Sequence, residues 1–154
     1  MTVTTSATAS ATGPDSGAPS FDLQGHSTYS DGELSPAETV RAAKQAGVEV
    51  FALTDHDSVD GLAEAVATAD QIGLRLVPGV EISVIDPVAS DLHLCGYLIE
   101  PTDAALAAQL ARSRRERERR AQEMLEALRQ NGWAVDQQPL DALKSVERRG
   151  HGNL

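Results

Sequence analysis

Cysteine, aromatic residues and long apolar runs are all scarce in this 154-residue chain. A single cysteine, Cys95, cannot form an internal disulfide, so the fold needs no oxidising compartment, and the residue reads as a small buried hydrophobe. Phe, Trp and Tyr together supply 3% of the residues against an apolar total of 41%, so a core must be built from Ala, Val, Leu and Ile. No run of about 18 uncharged apolar residues exists, which argues against a membrane-spanning helix. Met1 to Ser20 has neither the basic start nor the apolar stretch of a secretory signal, so a cytoplasmic location is expected. The length is also short of the roughly 250 residues that a closed (β/α) barrel uses.

The net charge of −10 is unevenly spread. Residues 1–101 carry three basic and fifteen acidic side chains, whereas residues 102–154 carry ten basic and eight acidic, with six arginines between Arg112 and Arg120. An acidic front that also concentrates histidine points to cation binding, because carboxylates and neutral imidazoles are the ligands of divalent metals.

Three regions are expected. Residues 1–20 are Thr, Ser, Ala, Gly and Pro with almost no large apolar side chain, which predicts a disordered tail. Residues 21–101 alternate short apolar strands with amphipathic helices, the pattern of an α/β fold with a mostly parallel sheet. Phe21-Asp22-Leu23 reads as a strand. Ser35-Pro36-Ala37-Glu38 supplies an N-cap, a first-turn proline and a capping-box glutamate for a helix to about Gln45. Val48 to Leu53 reads as a doubly covered strand, and Gly61 to Ile72 as a helix stopped by Gly73. Leu74 to Val77 and Val80 to Val84 read as strand interrupted by Pro78-Gly79, followed by a strand from Leu92 to Ile99. Residues 102–154 open with a long helix through Asn131. Its apolar stripe of Ala121, Met124, Leu125 and Leu128 is expected to be buried, with Trp133 as a core anchor.

Four polar clusters follow or end the predicted strands: His26 with Asp31, His56 between Asp55 and Asp57, Glu81, and His93. A parallel sheet carries its strand ends onto one rim, where active sites form. Three histidines with carboxylates gathered there would favour a metal site for manganese, zinc or iron over calcium. Two or three adjacent ions would suit phosphoester hydrolysis.

The ordered segments Asp22 to Gly32, Thr54-Asp55-His56-Asp57, Pro78-Gly79-Val80-Glu81 and His93 to Tyr97 resemble the successive motifs of the PHP (polymerase and histidinol phosphatase) superfamily. Within it, the chain is most similar to stand-alone phosphoesterases that act on nucleoside bisphosphates and on the 5′ ends of short RNAs. The resemblance implies a distorted (β/α) barrel, with a substrate that is a phosphorylated small molecule or short oligonucleotide and with up to three divalent ions, manganese foremost. It also implies that His26 binds the first ion, Glu81 bridges the first and second, His93 binds the second, and Asp31 and His56 bind the third. Water activated by the metal would be the nucleophile. Arg149-Gly150-His151 resembles an Arg-Pro-His motif of the subgroup, which implies that Arg149 and His151 contact substrate phosphate.

Two departures from the family pattern carry consequences. Gln24 stands where the first motif has a histidine, and an amide oxygen is the poorer ligand for a transition metal. Members of the superfamily also continue through further strands, so the barrel is expected to be partial. A truncated, catalytically impaired PHP fragment and an accessory module of a polymerase are the alternatives to an active hydrolase. The arginine run is interspersed with Glu116 and Glu118, which predicts i,i+4 pairs Arg112–Glu116 and Arg114–Glu118 on a solvated face. No aromatic cluster offers base stacking beside it, so a stable nucleic-acid complex is not expected.

Overall fold

A computed structural model describes residues 20–84, 92–136 and 138 of the chain. Four strands and three helices run in the order β1 (Phe21–Gly25), α1 (Pro36–Gln45), β2 (Val50–Leu53), α2 (Leu62–Ile72), β3 (Arg75–Val84), β4 (Leu92–Tyr97) and α3 (Ala104–Gln130). The strands form one sheet in the order β1-β2-β3-β4. The first three are parallel and the fourth returns antiparallel to β3, giving a mixed α/β half-barrel. Residues 1–19, which include most of the predicted tail, and Arg149 and His151 lie outside the described residues. No helix among the described residues is long and apolar enough to cross a membrane.

The helix boundaries follow from local chemistry. Ser35 Oγ accepts from the Glu38 backbone N–H, while the Glu38 carboxylate accepts from the Ser35 N–H at 2.9 Å, so two otherwise orphaned donors are satisfied at the start of α1. Gly73, at φ 64°, closes α2 in the left-handed conformation that glycine adopts without a Cβ clash. The two helices cover the same sheet region. Val40 of α1 and Leu62, Ala65 and Ala69 of α2 bury Phe51 and Leu53 of β2. Each such large side chain contributes roughly 1.5–3 kcal/mol by leaving water.

Pro78-Gly79 does not break the third strand. Residues Val50 to Leu53 stay in parallel register with Arg75 to Pro78, and Gly79 to Val84 stay in antiparallel register with Tyr97 to Leu92. Proline, with no N–H to donate, sits where β3 ends one register and begins the other. Glycine follows because a Cβ there would lie 2.8 Å from Thr54 Cγ2 and 3.1 Å from the Gly96 carbonyl oxygen.

The long helix buries less than its periodicity predicts. Leu110 and Leu125 are buried, but Met124 and Leu128 are exposed, as is Ala121. Trp133 is 67% exposed and is not a core anchor. Periodicity identifies an apolar face, whereas burial needs a neighbouring element, and α3 meets β3 along only part of its length. Cys95 is half-buried rather than enclosed.

Candidate metal centre

All five side chains singled out from the sequence converge beside the ends of β1 and β2 and along one face of the β3–β4 hairpin. Glu81, almost fully buried, is at their centre. Its Oε2 accepts from Gln24 Nε2 at 3.0 Å and lies 2.9 Å from His26 Nε2, while its Oε1 lies 2.8 Å from His93 Nδ1. The ladder explains the last contact. Ser83 pairs with His93 and Glu81 with Cys95, so Glu81 and His93 are diagonal neighbours on one face of the hairpin, within reach of long side chains.

His26 has carboxylates on both ring nitrogens, Asp31 Oδ1 at 2.7 Å from Nδ1 and Glu81 Oε2 from Nε2. His56 completes the set, packed edge-on between the other two imidazoles with centroid separations of 4.6 Å to His26 and 4.8 Å to His93. Two triads emerge, His26–Asp31–His56 and His56–Glu81–His93, each with its ligand atoms within 4.8 Å of one another.

The electrostatics suit a cation. Burial pushes His56 below its ordinary value of 6.5, with His26 and Arg117 adding to that and Glu81 and Asp31 opposing it. A histidine held neutral keeps a lone pair for a metal. Burial pushes Glu81 upward, but the Gln24 hydrogen bond, the charge of His56, the His93 hydrogen bond and the charge of His26 together leave its carboxyl below the ordinary value. Asp31 is likewise lowered: burial opposes, and the hydrogen bond and charge of His26, with His56, prevail.

Two observations test whether an ion fits this set. His56 Nδ1 is buried with no hydrogen-bond partner among the described residues, and the carboxylate oxygen nearest in the ion-pair geometry, Glu81 Oε1, is 4.0 Å away. That spacing is too long for a hydrogen bond and about twice a metal–nitrogen or metal–oxygen bond. The donor set of imidazole nitrogen and carboxylate oxygen therefore fits a divalent transition metal.

The acids flanking His56 face away from this centre, a division of labour that the sequence did not disclose. Asp55 accepts from the Ser27 N–H, Ser27 Oγ and Ser30 Oγ, each at 2.7 Å, and so pins the loop that carries His26 and Asp31. Asp57, at φ 49°, accepts from the Ser83 N–H at 3.1 Å and its Oγ at 3.0 Å, and from Arg117 at 2.6 Å. Arg114 reaches the Asp57 carbonyl oxygen and Asp60. The helix's arginines are thus divided between this loop and Arg119's pairing with Glu116 and Glu123, in place of the expected pairs Arg112–Glu116 and Arg114–Glu118. Ser27, Ser30 and Ser83 were the only sequence hint, and hydroxyls are too common to be diagnostic.

The PHP domain family matches residues 22–133, the stretch that holds every element described above. The chain belongs to this family. A 5′-3′ exoribonuclease from Haemophilus influenzae is 40% identical over 112 residues, covering 73% of this PHP chain and 40% of the relative. A 3′,5′-nucleoside bisphosphate phosphatase from Chromobacterium violaceum is 41% identical over 114 residues, covering 74% and 40%. A solved structure from Bifidobacterium adolescentis, described as a candidate metal-dependent phosphoesterase, matches with a TM-score of 0.73 at 29% identity, over 82% of this chain and 43% of that one. The PHP chain spans about two-fifths of the length of the curated relatives it matches.

Proposed function

We propose that this chain carries the ligand set of a metal-dependent phosphoesterase acting on phosphate esters of nucleotides or short oligonucleotides. The buried Nδ1 of His56, opposite Glu81 and with no hydrogen-bond partner among the described residues, is the observation that carries the reading. His26, Asp31, His56, Glu81 and His93 would hold divalent ions, with manganese the first choice and zinc or iron the alternatives. Bound ions would supply water activation and neutralise charge on the phosphate oxygens. The chain's own residues set the frame: Glu81 orients His26 and His93, Asp55 fixes the loop bearing His26 and Asp31, and Asp57 fixes the turn after His56. The names of the exoribonuclease and bisphosphate phosphatase relatives support the substrate class. Arg149 and His151 are retained as substrate-phosphate contacts on the strength of the motif they resemble.

Gln24 favours a second reading, a catalytically impaired module. Its amide N–H is spent on Glu81, and it offers no imidazole to an ion. One assay separates the two readings: manganese content and manganese-dependent hydrolysis of adenosine 3′,5′-bisphosphate, compared between the unaltered chain and the double variant His56→Ala, Glu81→Ala. Metal uptake and turnover that both vanish in the variant support the hydrolase. Uptake without turnover in the unaltered chain supports the impaired module. Manganese content unaffected by the double substitution rejects the metal site.

A further inference from the structure

Arg117 lies on α3 and belongs to neither ligand triad, yet one of its nitrogens joins the two segments around the His56–Glu81–His93 triad. Its Nη2 donates to Asp57 Oδ2 at 2.6 Å and to Ser83 Oγ at 2.8 Å. Ser83 in turn donates to the Asp57 carboxylate through its backbone N–H at 3.1 Å and its hydroxyl at 3.0 Å, which closes a triangle of three side chains. Two of its corners adjoin ligands. Asp57 follows His56 in the chain, and its backbone N–H donates to the Glu81 carbonyl oxygen at 2.8 Å. Ser83 stands two residues from Glu81 on the same face of β3 and directly opposite His93 on β4. Asp57 is also at φ 49°, in the left-handed region that a residue with a Cβ keeps only when neighbouring contacts hold it there. The His26–Asp31 loop is framed elsewhere: Asp55 pins it, and among the described residues Arg117 makes no hydrogen bond to it.

We propose that Arg117 is a positioning residue for the His56–Glu81–His93 triad, acting through Asp57 and Ser83, while Asp55 separately positions the loop that carries His26 and Asp31. The inference deepens the metal-dependent reading and rests on it. The Asp57 carboxylate is buried, and the guanidinium supplies both a charge-assisted hydrogen bond and the opposite charge. Without that group the carboxylate keeps its bonds from Ser83 but carries an uncompensated charge, and the turn after His56 is drawn toward water and out of its left-handed conformation. The His56 imidazole then shifts relative to Glu81 and His93. Small shifts matter, because metal–ligand distances are held within about 0.2 Å, and outer groups that orient ligands are worth roughly 10–100-fold in metal affinity. All three ligands of this triad adjoin Asp57 or Ser83. Of the His26–Asp31–His56 triad only His56 does, so the two triads should respond unequally when Arg117 is replaced.

The test is a calorimetric manganese titration of the full chain, with Arg117→Met introduced into the unaltered protein, into Asp31→Ala and into His93→Ala. Arg117→Met is expected to weaken manganese binding about tenfold in the unaltered chain and in Asp31→Ala, but by less than about threefold in His93→Ala, where the triad it positions is already broken. Arg117→Lys keeps the charge and a donor, and should recover part of the loss; its residual effect shows the same contrast between backgrounds should the methionine variant not fold. Leu125→Val loosens α3 without touching the triangle, so it is expected to lower the urea midpoint and leave manganese affinity unchanged. Four results overturn the role of Arg117 while leaving the metal site standing: no loss in the unaltered chain, equal losses in the two ligand-deleted backgrounds, the same loss from Leu125→Val, or abolition of all uptake by either ligand substitution alone. An unaltered chain that takes up no manganese overturns the metal-dependent reading, and the role of Arg117 with it.

Discussion

The Asp57 carboxylate and the Arg117 guanidinium meet at 2.6 Å, joining the turn after β2 to the middle of α3 across sixty residues of sequence. Asp57 is buried while Arg117 is 44% exposed, so the pair lies at the boundary between protein and water. Removing the arginine leaves a buried carboxylate that retains its two bonds from Ser83. Arg117→Ala is expected to lower the unfolding free energy by about 1–2 kcal/mol, less than a fully buried pair would lose. Urea denaturation reads this directly, and an unchanged midpoint would show that α3 is held by its other contacts, Arg114 with Asp57 and Asp60 and the buried Leu110 and Leu125.

Asp55 is a stronger test of how the loop is held. Its carboxylate accepts three hydrogen bonds from Ser27 and Ser30, all of them within the segment that carries His26 and Asp31. Asp55→Ala should cost about 2–4 kcal/mol and weaken manganese binding about tenfold, although Asp55 touches no ion in the proposed arrangement. Asp55→Asn should lose less, because an amide oxygen still accepts. Equal losses from the two substitutions would mean that charge, rather than the hydrogen bonds, fixes the loop.

Gln24 is the position where a single substitution should improve the centre. Its amide now donates to Glu81. Gln24→His replaces an amide with an imidazole at the same end of β1 and is expected to raise manganese affinity, without necessarily restoring turnover. A titration curve identical to that of the unaltered chain would count against placing Gln24 in the ligand set.

The acid limb of stability should carry a signature of the first helix. Hydrogen bonds from the Ser35 hydroxyl and backbone N–H hold Glu38 below its ordinary value of 4.5. The unfolded chain therefore binds this proton more readily than the folded one. The stabilisation is fully present above the ordinary value and is lost as pH falls through the lowered one. Ser35→Ala removes the hydroxyl, the larger of the two causes, and should flatten the decline in thermal midpoint over that acid window. An identical slope in both proteins would assign the acid sensitivity to other carboxylates.

Legibility in the sequence tracked the range of the interaction. The capping box at Ser35 and the stop at Gly73 are signalled within a few residues, and the structure reproduces both. Strand-end placement accounts for His26 and His56, which follow β1 and β2, whereas Glu81 lies within β3 and His93 near the start of antiparallel β4, so these two meet across the hairpin ladder rather than at a shared rim of parallel strand ends. Pro78-Gly79 was misread as an interruption because the dipeptide signals a turn only when no neighbouring strand changes there; here β3 changes the strand with which it is in register. Trp133, Met124 and Leu128 are apolar at helical spacing, yet whether a face is covered depends on elements remote in sequence. The roles of Asp55 and Asp57 were illegible for a related reason. An acid beside a histidine looks the same whether it points at an ion or at a serine on another segment.

Glu81 has one further property with wide reach. Its backbone N–H and C=O bond to Asp55 and Asp57 on the parallel side, while on the other side it stands opposite Cys95. The carboxylate is thus mounted on a residue held by neighbouring segments on both sides, and a slip of β4 by one place would turn His93 to the opposite surface. Spacing between the imidazoles and this carboxylate is therefore a property of the backbone lattice rather than of whatever sits among them. A cation arriving here would find the imidazoles and the central carboxylate already gathered from distant chain segments.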